Sequence, residues 1–379
     1  MYTSLHNHTA IGSNIRGFLD SINKIDDMLN YAKELGMSSL CITDHESLTA
    51  HIDLLHAVRD LKKNNPEEWG NFKPLCGNEI YLTSRKNILE DKDYSTLHHY
   101  ILIAKDLIGY QQLRELSTQA WCENFFTYVN PRTPTYFDDL FKQLDNNPGH
   151  LIGCTACLGG QLDRLILEAY IQNESRPDYT RVKQFIQGLD KKFGHGNFFL
   201  EMQPSNQQEQ IIVNQAILQL SKELDIPFII TTDSHYLKKE DREIHKAFLL
   251  SDDDGGVREV DEFYETTYMM SEDEIHSYMD LYLGKENVAL GLSNTNLIVN
   301  QCEEYTLDKP LNIPYKAFDT TEPSKELYDK FIKQVPLLEY FYNSPHDCDR
   351  HMCREILNKL ETNPAEFQNQ ETFQQTFDL

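Results

Sequence analysis

Residues 226–237 read IPFIITTDSHYL. A short apolar run bounded by Pro227 reads as a buried strand. The residues after it break that pattern, because a carboxylate, Asp233, and an imidazole, His235, stand two residues apart where the strand should end. On an extended chain, residues i and i+2 face the same way, so this pair is expected to form a two-toothed clamp. Further runs of strand type lie at 4–8 (SLHNH), 38–45 (SSLCITDH), 73–83 (KPLCGNEIYLT), 99–106 (HYILIAKD), 150–157 (HLIGCTAC) and 198–203 (FFLEMQ). Most carry a His, Asp, Glu or Cys near one end. Between them lie helix-compatible stretches. SINKIDDMLNYAKELGM spaces Ile22, Ile25, Met28, Leu29, Ala32 and Leu35 on one face and has Gly36 where a helix should stop. IIVNQAILQLSKELD does the same with Val213, Ala216, Ile217, Leu220 and Leu224. Strands alternating with helices predict an α/β fold built from βα units around a parallel sheet or barrel, with its chemistry at the C-terminal strand ends.

At 379 residues the chain can bury a large core, with room for a smaller appended unit. Its 35 Lys and Arg against 60 Asp and Glu give a net charge of −25, which argues against broad electrostatic affinity for a polyanion. A phosphate substrate would need a local source of positive charge. No apolar stretch is long enough to span a membrane, and MYTSLHNHTAIGS has neither the basic start nor the apolar centre of a secretion signal. A cytoplasmic location is expected, in a bacterial or a phage-infected cell. The 8 cysteines are thinly spread and are expected to be reduced.

The ligand-type residues form a pattern. His6 and His8 are i, i+2; Asp44 and His45 end the second run; Glu79 sits in the third; His99 opens the fourth; Cys157 ends the fifth; Asp20 comes after the first. A ring of His, Asp and Glu with one Cys suits Zn, Mn or Fe rather than Ca or Mg alone. Any one of these residues could be ordinary polar surface, and that is the reading for His51, His56, His98, His150, His195, His245, His276, His346 and His351. The coincidence of the others at strand ends points to a multinuclear metal site. Adjacent strand residues face opposite ways, so His45 is expected as a ligand and Asp44 as a packing or supporting group. Cys157 is expected in the ring and Cys154 as a buried thiol. HDCDRHMC (346–353) could hold an accessory zinc, but reads better as a polar helix.

With these residues in place, the chain resembles the PHP (polymerase and histidinol phosphatase) domain of the bacterial replicative DNA polymerase III alpha subunit. LHNHT, LGMSSLCITDHESL, KPLCGNEIYL, HYILIAKDLIGYQQL, NPRTPTYFDDL, LIGCTACLGGQL, FFLEMQP and IPFIITTDSHYLKKEDREIHKAFLL keep the family order. DEFYETTYMMSEDEI and ENVALGLSNTNLIVNQC resemble the segment joining that domain to the polymerase palm. The resemblance implies a distorted seven-stranded (β/α) barrel of PHP type. It also implies up to three divalent ions held by nine ligands: His6, His8, Asp20, His45, Glu79, His99, Cys157, Asp233 and His235. Lys105 and Arg132, both in matching motifs, are candidates to hold a substrate phosphate.

The expected organisation is a phosphoesterase domain over 1–250, a connecting segment over 251–305, and a linker with helices over 306–379 resembling the start of a palm. The last residues, FQNQETFQQTFDL, read as frayed or partner-dependent. No palm motif of the type PDxDxD occurs, so this chain alone is expected not to polymerise DNA; a split or truncated polymerase with a separate polymerase subunit would account for that. The resemblance implies metal-dependent phosphoester hydrolysis, with 3′-to-5′ exonuclease action on the 3′ end of a single DNA strand as the leading expectation. The rivals are a small-molecule phosphomonoesterase of histidinol phosphatase type and a non-catalytic module that docks a separate polymerase chain.

Overall fold

The computed structural model describes residues 2–14, 19–128, 130–251, 262–310 and 321–362. The linker core at 311–320 and the FQNQETFQQTFDL tail lie outside the described residues. The chain divides into two compact units, 1–307 and 308–379.

The first unit is an α/β fold around a curled sheet. Its strands are β1 (Ser39–Ile42), β2 (Lys73–Thr83), β3 (His98–Ala104), β4 (Phe126–Tyr128), β5 (Asn130–Arg132), β6 (Pro134–Tyr136), β7 (Leu151–Cys154), β8 (Phe198–Met202) and β9 (Phe228–Ile230). The main path runs β1-β2-β3-β7-β8-β9, β6 extends the far end of β2, and β4 and β5 form a separate hairpin. Residues 4–8 join the two ends of this path. Cys41 N donates to Ser4 O at 3.1 Å and Thr43 N to Asn7 O at 2.9 Å on one side; His8 N donates to Ser234 O at 2.9 Å and Ser234 N to His6 O at 3.1 Å on the other. The first residues of the chain and those just past β9 are thereby neighbours.

The expectation of an all-parallel arrangement is corrected at one strand. β1–β2, β7–β8 and β8–β9 are parallel, but β3 runs antiparallel to both β2 and β7. The cause lies in the connection from β2, which holds only a π-helical turn (Lys86–Glu90) and a 3-10 turn (Tyr94–Thr96) and no crossover helix. Without a crossover helix the chain returns beside the strand it left, as a hairpin does. The reversal has a functional effect: the first residues of β3, not its last, lie at the rim formed by the C-terminal ends of its neighbours.

Amphipathic helices cover the outside. Ile25–Glu34 buries Ile25, Met28, Leu29 and Ala32, the residues at helical spacing, and Gln208–Leu224 buries Val213, Ala216, Ile217 and Leu220. The inside of the sheet is an apolar layer to which every run contributes: Leu5, Cys41, Leu75, Ile101, Ile152, Phe199 and Ile229 are all buried. Each such side chain stabilises the fold by roughly 1.5–3 kcal/mol. Ile298 and Val299 of the helix Lys285–Gln301 join the same layer. That helix packs against β9 so closely that a Cβ on Gly291 would lie 2.6 Å from the Phe228 ring and 2.8 Å from Ile230. The stretch read as a connecting segment, 251–305, is thus part of the first unit where it is described. Its helices carry apolar faces that need this core.

In the second unit, Lys325–Phe331, Leu338–Tyr342 and Asp347–Thr362 are helices around Phe331, Leu338, Cys353, Leu357 and Leu360. Cys353 of HDCDRHMC is buried there among apolar side chains, and Arg354 Nη2 lies 2.7 Å from His351 Nδ1.

Candidate metal centre

The rim at the C-terminal end of the sheet gathers imidazoles and carboxylates from residues far apart in sequence. Residues 4–8 supply two. His6 Nδ1 lies 2.6 Å from Glu201 Oε1, and His8 Nδ1 lies 2.9 Å from Ser13 Oγ, which itself donates to Asp44 Oδ1 at 2.8 Å. Both Nδ1 atoms therefore act as donors, and the Nε2 of each ring points inward. His6 Nε2 comes within 3.3 Å of Glu79 Oε2 and 3.1 Å of Asp233 Oδ1; His8 Nε2 comes within 3.1 Å and 3.0 Å of the same atoms. The i, i+2 expectation for this pair holds.

Glu79 is the hub. Besides His6 and His8, its Oε2 meets His45 Nδ1 at 2.9 Å, while Oε1 meets His99 Nδ1 at 2.9 Å. Cys157 Sγ lies 3.4 Å from His99 Nδ1. On the other side, Asp20 Oδ1 is 3.2 Å from His235 Nε2 and Asp20 Oδ2 is 3.7 Å from His45 Nε2. Three groups that could hold an ion result: His6, His8, Glu79 and Asp233; His45, Glu79 and His99; and His8, Asp20, His45 and His235, the donor atoms of each lying within 4.8 Å of one another. The structure thus brings together all nine residues expected as ligands, Cys157 through its contact with His99.

These donors are at hydrogen-bond distance without hydrogen-bond geometry. His6 Nε2, His8 Nε2, His45 Nδ1, Asp20 Oδ2, Asp233 Oδ1 and both Glu79 oxygens are buried and have no hydrogen-bond partner. Buried polar atoms left unpaired cost free energy, and native folds avoid them. Shared cations at the points where these lone pairs converge would resolve the cost, and a borderline divalent ion fits this donor set.

Electrostatics agree. Burial opposes charge on His6, yet Asp233, Glu201 and Glu79 carry its imidazolium well above the usual range. His8 goes up to about 10 against its burial, through Asp233 and Glu79. Glu79, Asp20 and Asp233 are held well below the usual carboxylate range despite burial, because imidazoles surround them. Burial takes His45 down to about 4. The acids therefore stay ionised and draw protons onto His6 and His8, and a bound cation would release those protons.

One expectation changes. Asp233 and His235 do not form one clamp: Asp233 belongs with His6 and His8, His235 with Asp20. β9 has ended at Ile230, and Asp233 adopts φ +49, the left-handed region rare for residues other than glycine. His235 Nδ1 then donates to the Asp233 carbonyl at 2.8 Å, which turns its Nε2 toward Asp20.

Supporting residues divide into those expected and those missed. Asp44 faces away from His45 as expected; it accepts from Thr9 N at 2.6 Å, Thr9 Oγ1 at 2.8 Å and Ser13. Burial pushes it up to about 6, and a Cβ on Gly12 would lie 1.9 Å from its Oδ2. Glu201, buried in β8 and bonded to His6 and to Thr231 Oγ1 at 2.6 Å, is a residue that sequence reasoning missed. An acid inside the apolar run FFLEM was the available signal. His51 and His245, read as polar surface, are fully buried. His51 Nε2 donates to Gly77 O at 2.9 Å and His245 Nε2 to Asp20 O at 2.6 Å, so each ties a helix to the sheet or rim.

Lys105 is corrected outright. Because β3 is reversed, Lys105 lies beyond its far end, where its N donates to His150 O at 3.0 Å and its Nζ to Asn197 Oδ1 at 3.0 Å, ahead of β7 and β8. At about 3.4 Å per residue it stands roughly 20 Å from His99. Arg132 ends β5 in the hairpin, next in sequence to β6, which extends the rim end of β2.

Comparison with known proteins fits this picture. The PHP domain model matches residues 4–205. A DNA-directed DNA polymerase of Bacillus phage SPbeta is 36% identical over 367 residues, 94% of this chain and 27% of that protein. DNA polymerase III subunit alpha of Borreliella burgdorferi is 29% identical over 301 residues, 77% of this chain and 23% of its own length. That of Thermus aquaticus is 25% identical over 376 residues, 96% and 28%. The chain spans about a quarter of the length of these relatives.

Proposed function

This chain belongs to the PHP domain family, and on that premise we propose that its rim is a multinuclear metal centre that hydrolyses phosphodiesters, removing nucleotides from the 3′ end of single-stranded DNA. The observation that carries the proposal is the set of buried, unpaired donor atoms of His6, His8, Asp20, His45, Glu79 and Asp233, converging from strand ends on shared points. The relatives' names, DNA polymerases of a phage and of bacteria, support DNA as the substrate.

Two or three divalent ions here would supply an activated water and local positive charge that offsets the acidic shell. The protein's own part is positional. Glu79 serves two of the groups, its Oε2 facing His6, His8 and His45 and its Oε1 facing His99, and His8, Asp20, His45 and His235 form the third. Glu201, Ser13 and the Asp233 carbonyl each hold the outer nitrogen of one imidazole, so the inner nitrogens are turned toward the shared points. His99 is half-exposed, so an arriving phosphate would meet the centre at that edge, with the buried Cys157 behind it. Arg132, on the hairpin, is a candidate second contact.

The test is incubation of the metal-loaded protein with 3′-labelled and 5′-labelled single-stranded DNA, beside Asp233→Ala and His235→Ala. The expected result is stepwise loss from the 3′ end by the parent and none by the variants. Hydrolysis confined to small phosphomonoesters would favour a phosphatase of histidinol phosphatase type. A protein that binds no transition metal would instead be a structural support.

A further inference from the structure

β2 does not stop at Glu79. It runs on through Tyr81 to Thr83, and Tyr81 stacks on His45 with ring centroids 5.7 Å apart and interplanar angle 6°. At Thr83 it pairs with Tyr136 of β6. Just beyond lies an open cavity of about 310 Å³, lined by Arg85, Lys92, Tyr94, Phe125, Phe126 and Tyr136 among others. The size is at the small end of ligand pockets, enough for one compact group.

Its walls are unusual for a surface. Tyr94 and Phe126 face each other with centroids 5.2 Å apart, and Phe125 is 45% exposed, its ring stacked on Trp121 at 6.4 Å. Arg85 lies over the Tyr136 ring at 4.3 Å, and its Nη2 donates to both Asp139 carboxylate oxygens, at 2.7 and 2.8 Å, which anchors the guanidinium there. Lys92 is exposed at the mouth, with Glu123 also lining the cavity. An exposed ring, Phe125, beside the half-buried Tyr94 and Phe126, with a flat guanidinium and one outer cation, offers what a nucleobase with its phosphate requires.

Distance fits a strand. Four residues of β2 separate Glu79 from Thr83, about 14 Å at strand rise. That is about two nucleotides of stretched single strand, or about four at the stacked rise of ~3.4 Å.

We propose that this pocket seats one base of a single-stranded nucleic acid whose scissile phosphate lies at the metal rim. The proposal deepens, and rests on, the reading of the rim as a phosphodiesterase. It makes the pocket the device that measures strand from mononucleotide.

The chain has 2 tryptophans, and Trp69 is buried beside Phe72, so Trp69→Phe leaves Trp121 as the reporter. With EDTA present, tetrathymidylate should quench Trp121 saturably. An abasic tetramer of equal charge should bind about tenfold more weakly, as should tetrathymidylate to Tyr94→Ala or Phe126→Ala. Lys92→Glu changes only an exposed side chain and should weaken tetrathymidylate about fivefold, which keeps the test standing if a ring variant misfolds. Equal binding of the two tetramers, or binding unchanged by Lys92→Glu, overturns the proposal. Hydrolysis separates the two readings. Bis(p-nitrophenyl) phosphate is too short to span rim and pocket, so the variants should cleave it at the parent rate while cleaving strands more slowly. A parent that cleaves neither would refute the rim's function, and the EDTA titration would still judge the pocket.

Discussion

Residues 6–8 and 233–235 carry the same signal, two ligand-type side chains two positions apart, and the fold uses them in opposite ways. Residues 4–8 are hydrogen-bonded on both sides, to β1 and to Ser234, so the pleat is enforced and both imidazoles reach the same oxygens of Glu79 and Asp233. Both segments are tied to their neighbours only by isolated bridges, Ser4 with Leu40, Asn7 with Ser234 and Tyr236 with Tyr268; the difference is Asp233, which turns left-handed and sends its carboxylate to one group while His235 serves another. Spacing of two brings side chains to one face only where the backbone stays extended, and a left-handed residue in the pair breaks that.

Glu79→Gln breaks the comparison at the point both segments share. A neutral amide cannot balance four imidazoles, and its NH₂ would point a donor at their lone pairs. Bound metal should fall by most of its content and hydrolysis by about a hundredfold or more. Retention of near-parental metal by elemental analysis would remove Glu79 from the centre of the site.

Asp233→Asn and His235→Gln sharpen it. Asn tolerates the left-handed backbone, so the first change tests charge rather than strain. The expected outcome is loss of different ions. Asp233→Asn should empty the group with His6 and His8, and His235→Gln should empty only the one with Asp20, each slowing hydrolysis about ten- to a hundredfold. Crystallography at the metal edge distinguishes them, and an identical loss in both variants would restore the single-clamp reading. A smaller effect is expected from Glu201→Gln, which leaves every inner donor in place and weakens only the hold on His6. About a tenfold loss of metal affinity is expected, checked by competition with a chelating dye.

Much of the site was legible because its residues cluster at ends of apolar runs, and a run announces where its end is. The alternation of strand and helix was legible for the same reason. The reversal of β3 was not, because HYILIAKD reads identically in either direction; only the helix-free stretch 84–97 carried the information, and it cost the placement of Lys105. Glu201 was hidden by its company, an acid among Phe, Leu and Met. His51 and His245 were misjudged because a lone imidazole in sequence has no visible partner, and both partners, Gly77 O and Asp20 O, are backbone atoms distant in the chain.

His51 extends the comparison to an imidazole as buried as His8 but held by backbone carbonyls rather than acids. His8 is drawn up to about 10 by Asp233 and Glu79; His51 is driven down to about 4, chiefly by burial. The unfolded chain takes up a proton near the ordinary value of about 6.5, before folded His51 does, so the stability that neutral His51 carries is present above 6.5 and lost as pH falls toward 4. Between pH 7 and 5.5 the loss should be about 1 kcal/mol. Other groups that take up protons are common to the parent and to His51→Gln, so the difference in urea midpoint between the two proteins at the two pH values isolates this residue. His51→Gln should start less stable at pH 7, having lost the bond to Gly77, and should lose less on acidification. Parallel pH profiles would mean that His51 is protonated in the folded protein, with water reaching behind the helix Ala50–Asn64.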